Sequence, residues 1–265
     1  MERWDEAALE DPPPCHLVND GGRSPILLIC DHASGRLPAA YGTLGLDDAD
    51  LWRHIAWDIG AAEVTRQLAY LLDARAVLSG VSRLLVDCNR AADDPTLICG
   101  LSDGTRVPGN EGLDEAELGR RIDRYYRPYH DAVAAALTAA RARHVAPLLI
   151  AIHSFTPVMA GSLRPWHVGI LWDRDGRLAL PLMRLLARDP ALVVGDNEPY
   201  SARANRGYTM IRHGVPAGLP HVLIEIRQDL IDTRTGAEAW AQRLAQAFRD
   251  LLAAHGPFQV EPSRP

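Results

Sequence analysis

The sequence contains no lysine, so all 28 of its basic residues are arginines. So complete an absence reflects the base composition of the gene rather than a function. Acidic residues outnumber basic ones, 34 to 28, leaving a formal net charge of −6. Without clustered positive charge there is no electrostatic footprint for nucleic acid. No window approaches the roughly 18 to 20 uninterrupted apolar residues that a membrane span needs, so no membrane partner is expected. The opening MERWDEAALEDPPPCH is acidic where a secretory signal is basic and then apolar, and the expected location is the cytoplasm. The four cysteines, Cys15, Cys30, Cys88 and Cys99, form no CxxC pair. That excludes a zinc ribbon or thioredoxin-like site and leaves free thiols as the expectation in a reducing compartment. HExxH is missing as well, so there is no local zincin motif. Repeats, low-complexity tracts and inter-domain linkers are also absent. The 265 residues, 47% hydrophobic, are expected to form a single domain, 1–265, with its core at about 24–256.

What is present is an alternation of apolar runs with amphipathic stretches. SPILLIC (24–30) has the pattern of a strand buried on both faces. Spacing predicts a helix over 51–72, with Ile55, Ile59, Ala62, Val64, Leu68 and Leu71 on one side. Two short strand-like runs follow, at 74–78 and 84–86. From 93 to 112 the chain is rich in Gly, Pro and Asp and is expected to be a long loop, of the kind that often serves as a lid. A helix opened by acidic and closed by basic residues is predicted over 113–143, divided or kinked at Pro128. Further strands are expected in 146–157, 166–173, 191–203 and 221–231, and helices at 178–190 and 236–256, the last stopped by Gly256-Pro257. Strands alternating with helices imply a three-layer α/β fold with a mainly parallel or mixed sheet.

In such sheets ligands bind outside the carboxyl ends of the strands. Polar residues that end apolar runs therefore carry most of the functional information. His32 follows ILLIC, His153 follows LLIAI, and Glu225 lies within LIEI. Asp58, in HIAWDIGA, falls on the predicted helix. Two imidazoles and one carboxylate form the protein ligand set of many catalytic zinc sites, with a separate glutamate as general base. On this reading His32, Asp58 and His153 hold the metal and Glu225 is catalytic. His54, four residues before Asp58 on the same predicted helical face, competes with Asp58 for the third place. His130 is expected to be structural. In SRLLVDCNR (82–90), Arg83 or Arg90 could clamp a substrate carboxylate or pair with Asp87. Arg227 shares a strand face with Glu225, as its ion-pair partner or as a substrate-binding group.

CDHASGRLP, WDIGAAEV, SRLLVDCNR, IHSFTP, NEPYSAR, GYTMIRHG and LIEIRQDLI, in this order over residues 24–232, resemble the N-formylglutamate amidohydrolase family. DHAS stands where the formylglutamate enzymes tend to have Pro-His-Ser-Gly, which is closer to a less characterised branch. The resemblance implies a phosphorylase/hydrolase-like fold related to zinc carboxypeptidases and to zinc-dependent cell-wall amidases. It also implies zinc, or another divalent metal, and hydrolysis of N-formyl-L-glutamate, a small acidic N-acyl amino acid, to formate and L-glutamate in histidine catabolism. His32, Asp58, His153 and Glu225 follow the order of ligands and catalytic residue in the related zinc amidases, except that Asp58 replaces the usual glutamate. Arg83, Arg90 or Arg227 would hold the oxyanion. Asn89, Ser154, Arg164 and the 200–203 loop would line the substrate pocket. Two alternatives are a zinc carboxypeptidase-like or peptide amidase acting on another substrate, and a non-catalytic dicarboxylate-binding protein.

Overall fold

The computed structural model describes residues 11–204 and 207–261. Its seven-stranded sheet is built from β1 (Cys15–Val18), β2 (Ile26–Cys30), β3 (Arg75–Ser79), β4 (Leu148–Phe155), β5 (Val168–Leu171), β6 (Val194–Asp196) and β7 (His221–Arg227). Across the sheet the order is β1-β3-β2-β4-β7-β5-β6. The central strands β3, β2, β4 and β7 are parallel to one another. At one edge β1 runs antiparallel to β3, and on the other side β5 runs antiparallel to β7 while β6 is parallel to β5. The sheet is therefore mixed, with a parallel centre.

Alternation along the strands divides the core into two layers. Ile26, Leu28 and Cys30 of β2, Leu148, Ile150 and Ile152 of β4, and Val222, Ile224 and Ile226 of β7 face one way. They pack under α1 (Ala61–Leu71), α3 (Ala179–Leu186) and α4 (Arg234–His255). Leu27, Ile29, Leu149, Ala151 and Leu223 face the other way, toward α2 (Arg127–Arg141) and its Tyr129 and Val133. Strands buried on both faces explain why these runs are continuously apolar rather than alternating. Among the described residues no helix is long and apolar enough to cross a membrane.

Three local expectations are corrected. The helix predicted over 51–72 begins only at Ala61; a single turn at Asp48–Leu51 precedes it, and 52–60 is irregular. Gly60 breaks the helix: its φ is +79°, and a Cβ there would strike the carbonyl oxygen of Ile231. Asp58 therefore lies in a turn ahead of α1, and His54 shares no helical face with it. The run 84–86 is a buried turn rather than a strand, with Leu85 and Val86 packed against Tyr125 and Tyr126. Within 93–112 the chain forms a small hairpin, Leu101–Ser102 with Thr105–Arg106, and a 3-10 turn at Pro108–Asn110. The 113–143 helix is divided ahead of Pro128 by one π-helical turn, Ile122–Tyr126.

Candidate metal centre

The polar residues at the carboxyl ends of the central strands meet at one rim of the sheet. β4 and β7 pair with His153 opposite Glu225, so these two residues are lateral neighbours pointing the same way. β2 pairs with β4 as far as Ile29 opposite Ala151; two residues on, the same register sets Asp31 beside His153. Asp31 therefore turns toward the α2 side of the sheet, and His32, one residue later, turns away from it. The Asp58 turn is pinned to this rim: the Asp58 N–H donates to the His32 carbonyl at 3.0 Å, and the Ser154 hydroxyl donates to the Ile59 carbonyl at 2.8 Å.

Both imidazoles present Nδ1 to the same carboxylate. Asp58 Oδ2 lies 2.7 Å from His153 Nδ1 and 3.3 Å from His32 Nδ1. The other ring nitrogens face carboxylates of their own, His32 Nε2 with Asp87 at 2.7 Å and His153 Nε2 with Asp31 at 3.0 Å. A carboxylate only accepts, so a ring nitrogen facing one donates: each Nε2 carries a proton, and each Nδ1, directed to the shared Asp58, becomes a ligand atom once its own proton has left. All five side chains are buried. His32, Asp58 and His153 can each offer one ligand atom, all within 4.8 Å of one another, and they form the one such cluster among the described residues.

The electrostatics suit a cation. Burial opposes charging His153, but hydrogen bonds and attraction from Asp31 and Asp58 outweigh it and hold the imidazole well above its usual range. His32 is raised as well: burial and Arg83 oppose the charged ring, while Asp87 and Asp58 favour it. Despite burial, Asp58 and Asp87 are held well below the carboxylate range, Asp58 mainly by the two histidines and Asp87 by Arg83 and His32. Protons on the imidazoles thus occupy the place a divalent ion would take. Glu225 shifts the opposite way: burial is the main cause, and it is pushed up to about 7. Its Oε2 is buried without a hydrogen-bond partner among the described residues. A nitrogen, nitrogen, carboxylate donor set beside an unpartnered buried carboxylate fits a catalytic divalent ion.

A cavity of about 210 Å³ opens over this centre, lined by His32, Asp58, His153 and Glu225 among others. Arg83, Asn89, Arg90, Ser154 and His54 also line it. Arg83 donates to Asp87 Oδ2 at 2.7 Å and lies 3.6 Å from Asp58; Arg90 Nε is 3.8 Å from Asp87. His54 Nε2 is 3.4 Å from Asp103 of the 93–112 segment, which also reaches the cavity through Ser102. Tyr200 lines the cavity and accepts from Arg164 at 3.0 Å, whose guanidinium lies over its ring. Arg203 lies over Trp172 instead. Arg227 is not brought to the cavity wall: its Nε donates to Asp229 at 2.8 Å, and its Nη1 faces the carbonyls of Arg164, Pro165 and Trp166. His130 is buried among Tyr126, Tyr129 and Tyr208, 3.0 Å from His213.

Sequence reasoning missed three contributors. Asp87 stands in SRLLVDCNR as a partner for arginine, yet it also holds His32. Tyr129 and Thr209 both donate to Asp31, at 2.7 and 2.6 Å, from 98 and 178 residues away in the chain. Only the register of the two runs ILLICDH and LLIAIHS, aligned, could have pointed to Asp31 and His153 as neighbours.

A family model described as N-formylglutamate amidohydrolase matches residues 24–232. A solved structure of a gene product of Agrobacterium tumefaciens, Atu2144, is 37% identical; the match covers 91% of this chain and 96% of that one, with a TM-score of 0.88. N-formylglutamate amidohydrolase from Ralstonia eutropha JMP134 is 21% identical over 93% of this chain and 98% of its own, with a TM-score of 0.64, and shares the fold. No curated protein matches the sequence.

Proposed function

Because the chain belongs to the N-formylglutamate amidohydrolase family, we propose that it hydrolyses the amide of an N-acyl amino acid, with N-formyl-L-glutamate as the first substrate to test. On this reading a zinc ion is held by His32 Nδ1, Asp58 and His153 Nδ1, and the reaction serves histidine catabolism in the cytoplasm. The observation that carries the reading is the convergence of both Nδ1 atoms on Asp58 beside the unpartnered carboxylate of Glu225. Zinc in such a set polarises a carbonyl and lowers the pKa of water.

The chain's own residues supply the rest. Glu225 takes the proton of the attacking water and returns it to the leaving nitrogen. Burial raises this carboxyl in the metal-free protein, and a cation nearby draws it lower, toward the ionised form that a general base needs. Arg90 and Asn89 face the cavity where a substrate carboxylate would sit. Arg83, already paired with Asp87, adds positive potential for the developing oxyanion.

The test is a panel of N-formyl, N-acetyl and N-succinyl amino acids and short peptides, assayed before and after chelation. Formate release from N-formyl-L-glutamate that stops on chelation and returns with zinc supports the reading. Cleavage confined to peptides would make the protein carboxypeptidase-like. Dicarboxylate binding that survives chelation, without turnover of any member, would make it a binding protein.

A further inference from the structure

We propose that Tyr129 and Thr209 are positioning residues of the metal centre, their two hydroxyls fixing the Asp31 carboxylate and, through it, the ring of His153. The inference rests on the metal reading of His32, Asp58 and His153 given above. It also gives a role to GYTMIRHG, whose Thr209 the proposed chemistry leaves unused.

Asp31 is enclosed on every side. Its Oδ1 accepts from Thr209 Oγ1 at 2.6 Å and from Tyr129 Oη at 2.7 Å, and its Oδ2 accepts from His153 Nε2 at 3.0 Å. Tyr129 and Thr209 have no solvent exposure, so water cannot replace either donor. A carboxylate can turn about its own axis. Two donors on one oxygen fix its plane, and the remaining oxygen is then aimed at the imidazole. The imidazole in turn carries its proton on Nε2 and presents Nδ1 to Asp58. Each donor is itself held. Tyr129 stands on α2, packed in the core layer beneath it, and the Thr209 N–H donates to Asn89 Oδ1 at 3.2 Å.

The two histidines are supported differently. His32 leans on Asp87, whose partners Arg83 and Arg90 line the cavity. His153 leans on Asp31, whose partners lie behind the sheet rim and do not line it. A defect in the second support should therefore weaken metal retention without altering substrate binding. Loss of an outer hydrogen-bond partner of a metal ligand typically lowers metal affinity about 10- to 100-fold.

Zinc affinity of the full chain is measured by chelator competition for wild type, Thr209→Val, Thr209→Ser and Tyr129→Phe, alongside the melting temperature of each metal-free protein. Thr209→Val and Tyr129→Phe are expected to bind zinc at least about tenfold more weakly. Thr209→Ser, which keeps the hydroxyl, should restore wild-type affinity. KM for N-formyl-L-glutamate should be unchanged in zinc-saturated Tyr129→Phe, since Tyr129 touches no cavity-lining substrate group. Wild-type zinc affinity in both hydroxyl-deleted variants, with only a lowered melting temperature, would overturn the inference and leave a purely structural role. If Thr209→Val does not fold, Tyr129→Phe decides alone. A wild-type protein that binds no stoichiometric zinc overturns the metal reading and this inference with it. A zinc-binding wild type with unaffected variants overturns the inference only.

Discussion

The carboxylate of Asp31 accepts a hydrogen bond from His153 Nε2 at 3.0 Å, although its neighbour in the chain is His32. Strand geometry is the cause. Consecutive residues point to opposite faces, so Asp31 and His32 diverge, while the parallel register of β2 and β4 sets Asp31 beside a residue 122 positions away. The same register logic places Glu225 on the other side of His153. Three adjacent strands thus deliver an orienting carboxylate, a metal-ligand candidate and a general-base candidate in one lateral row.

Asp87 should matter as much to His32 as Asp31 does to His153. Asp87→Asn keeps the shape but removes the charge that balances Arg83 and fixes the His32 tautomer. Zinc affinity is expected to fall about 10- to 100-fold, measured by chelator competition.

Zinc should displace protons on binding. In the metal-free protein the His153 imidazole is held well above its usual range by Asp31 and Asp58, against burial, so at neutral pH its Nδ1 is protonated. Affinity should therefore rise with pH by about tenfold per unit for each proton released. Calorimetry in buffers of different ionisation enthalpy reads that release; a binding enthalpy independent of buffer would contradict it.

Glu225→Gln should abolish hydrolysis by a factor of about 10² to 10⁴ while keeping zinc stoichiometry. It should also change stability in a pH-dependent way. Burial raises Glu225 from its ordinary value of 4.5 to about 7, so the native state binds the proton more tightly than the unfolded chain. The stability this provides is complete below about pH 4.5 and is lost as pH rises through about 7. Chelator-treated Glu225→Gln should match wild type in urea unfolding at pH 4.5 and exceed it at pH 8, by roughly 1 to 3 kcal/mol.

The arginines should separate by function. Arg90 lines the cavity, so Arg90→Ala should raise KM for N-formyl-L-glutamate about tenfold or more, the worth of a hydrogen bond to a charged group, with a smaller effect on kcat. Arg227 is engaged by Asp229 and backbone carbonyls away from the cavity wall, and Arg227→Ala should leave both constants close to wild type.

Much of this arrangement was legible in the sequence because burial on both faces writes itself as continuous apolar runs. ILLIC, LLIAI and HVLIEI are strands, and the residues that end or interrupt them meet at one rim. The Asp58 turn carries a helical pattern in the sequence because Ile55, Ile59 and Ala62 keep helical spacing. Gly60 overrides that spacing: its left-handed backbone is strained for a residue with a side chain, and the Ile231 carbonyl leaves no room for a Cβ. Leu84–Val86 read as a strand because a buried turn can be as apolar as one. Tyr129 and Thr209 left no local signal, since their role exists only once α2 and the 207–214 segment have packed around Asp31.

The central claim is that His153 belongs to a zinc centre that hydrolyses an amide, and metal content measured with formate release for wild type and His153→Ala tests it most directly. The account predicts close to one zinc per wild-type chain with turnover of N-formyl-L-glutamate, and the loss of both in His153→Ala. A His153→Ala protein that keeps its metal and its activity would contradict it.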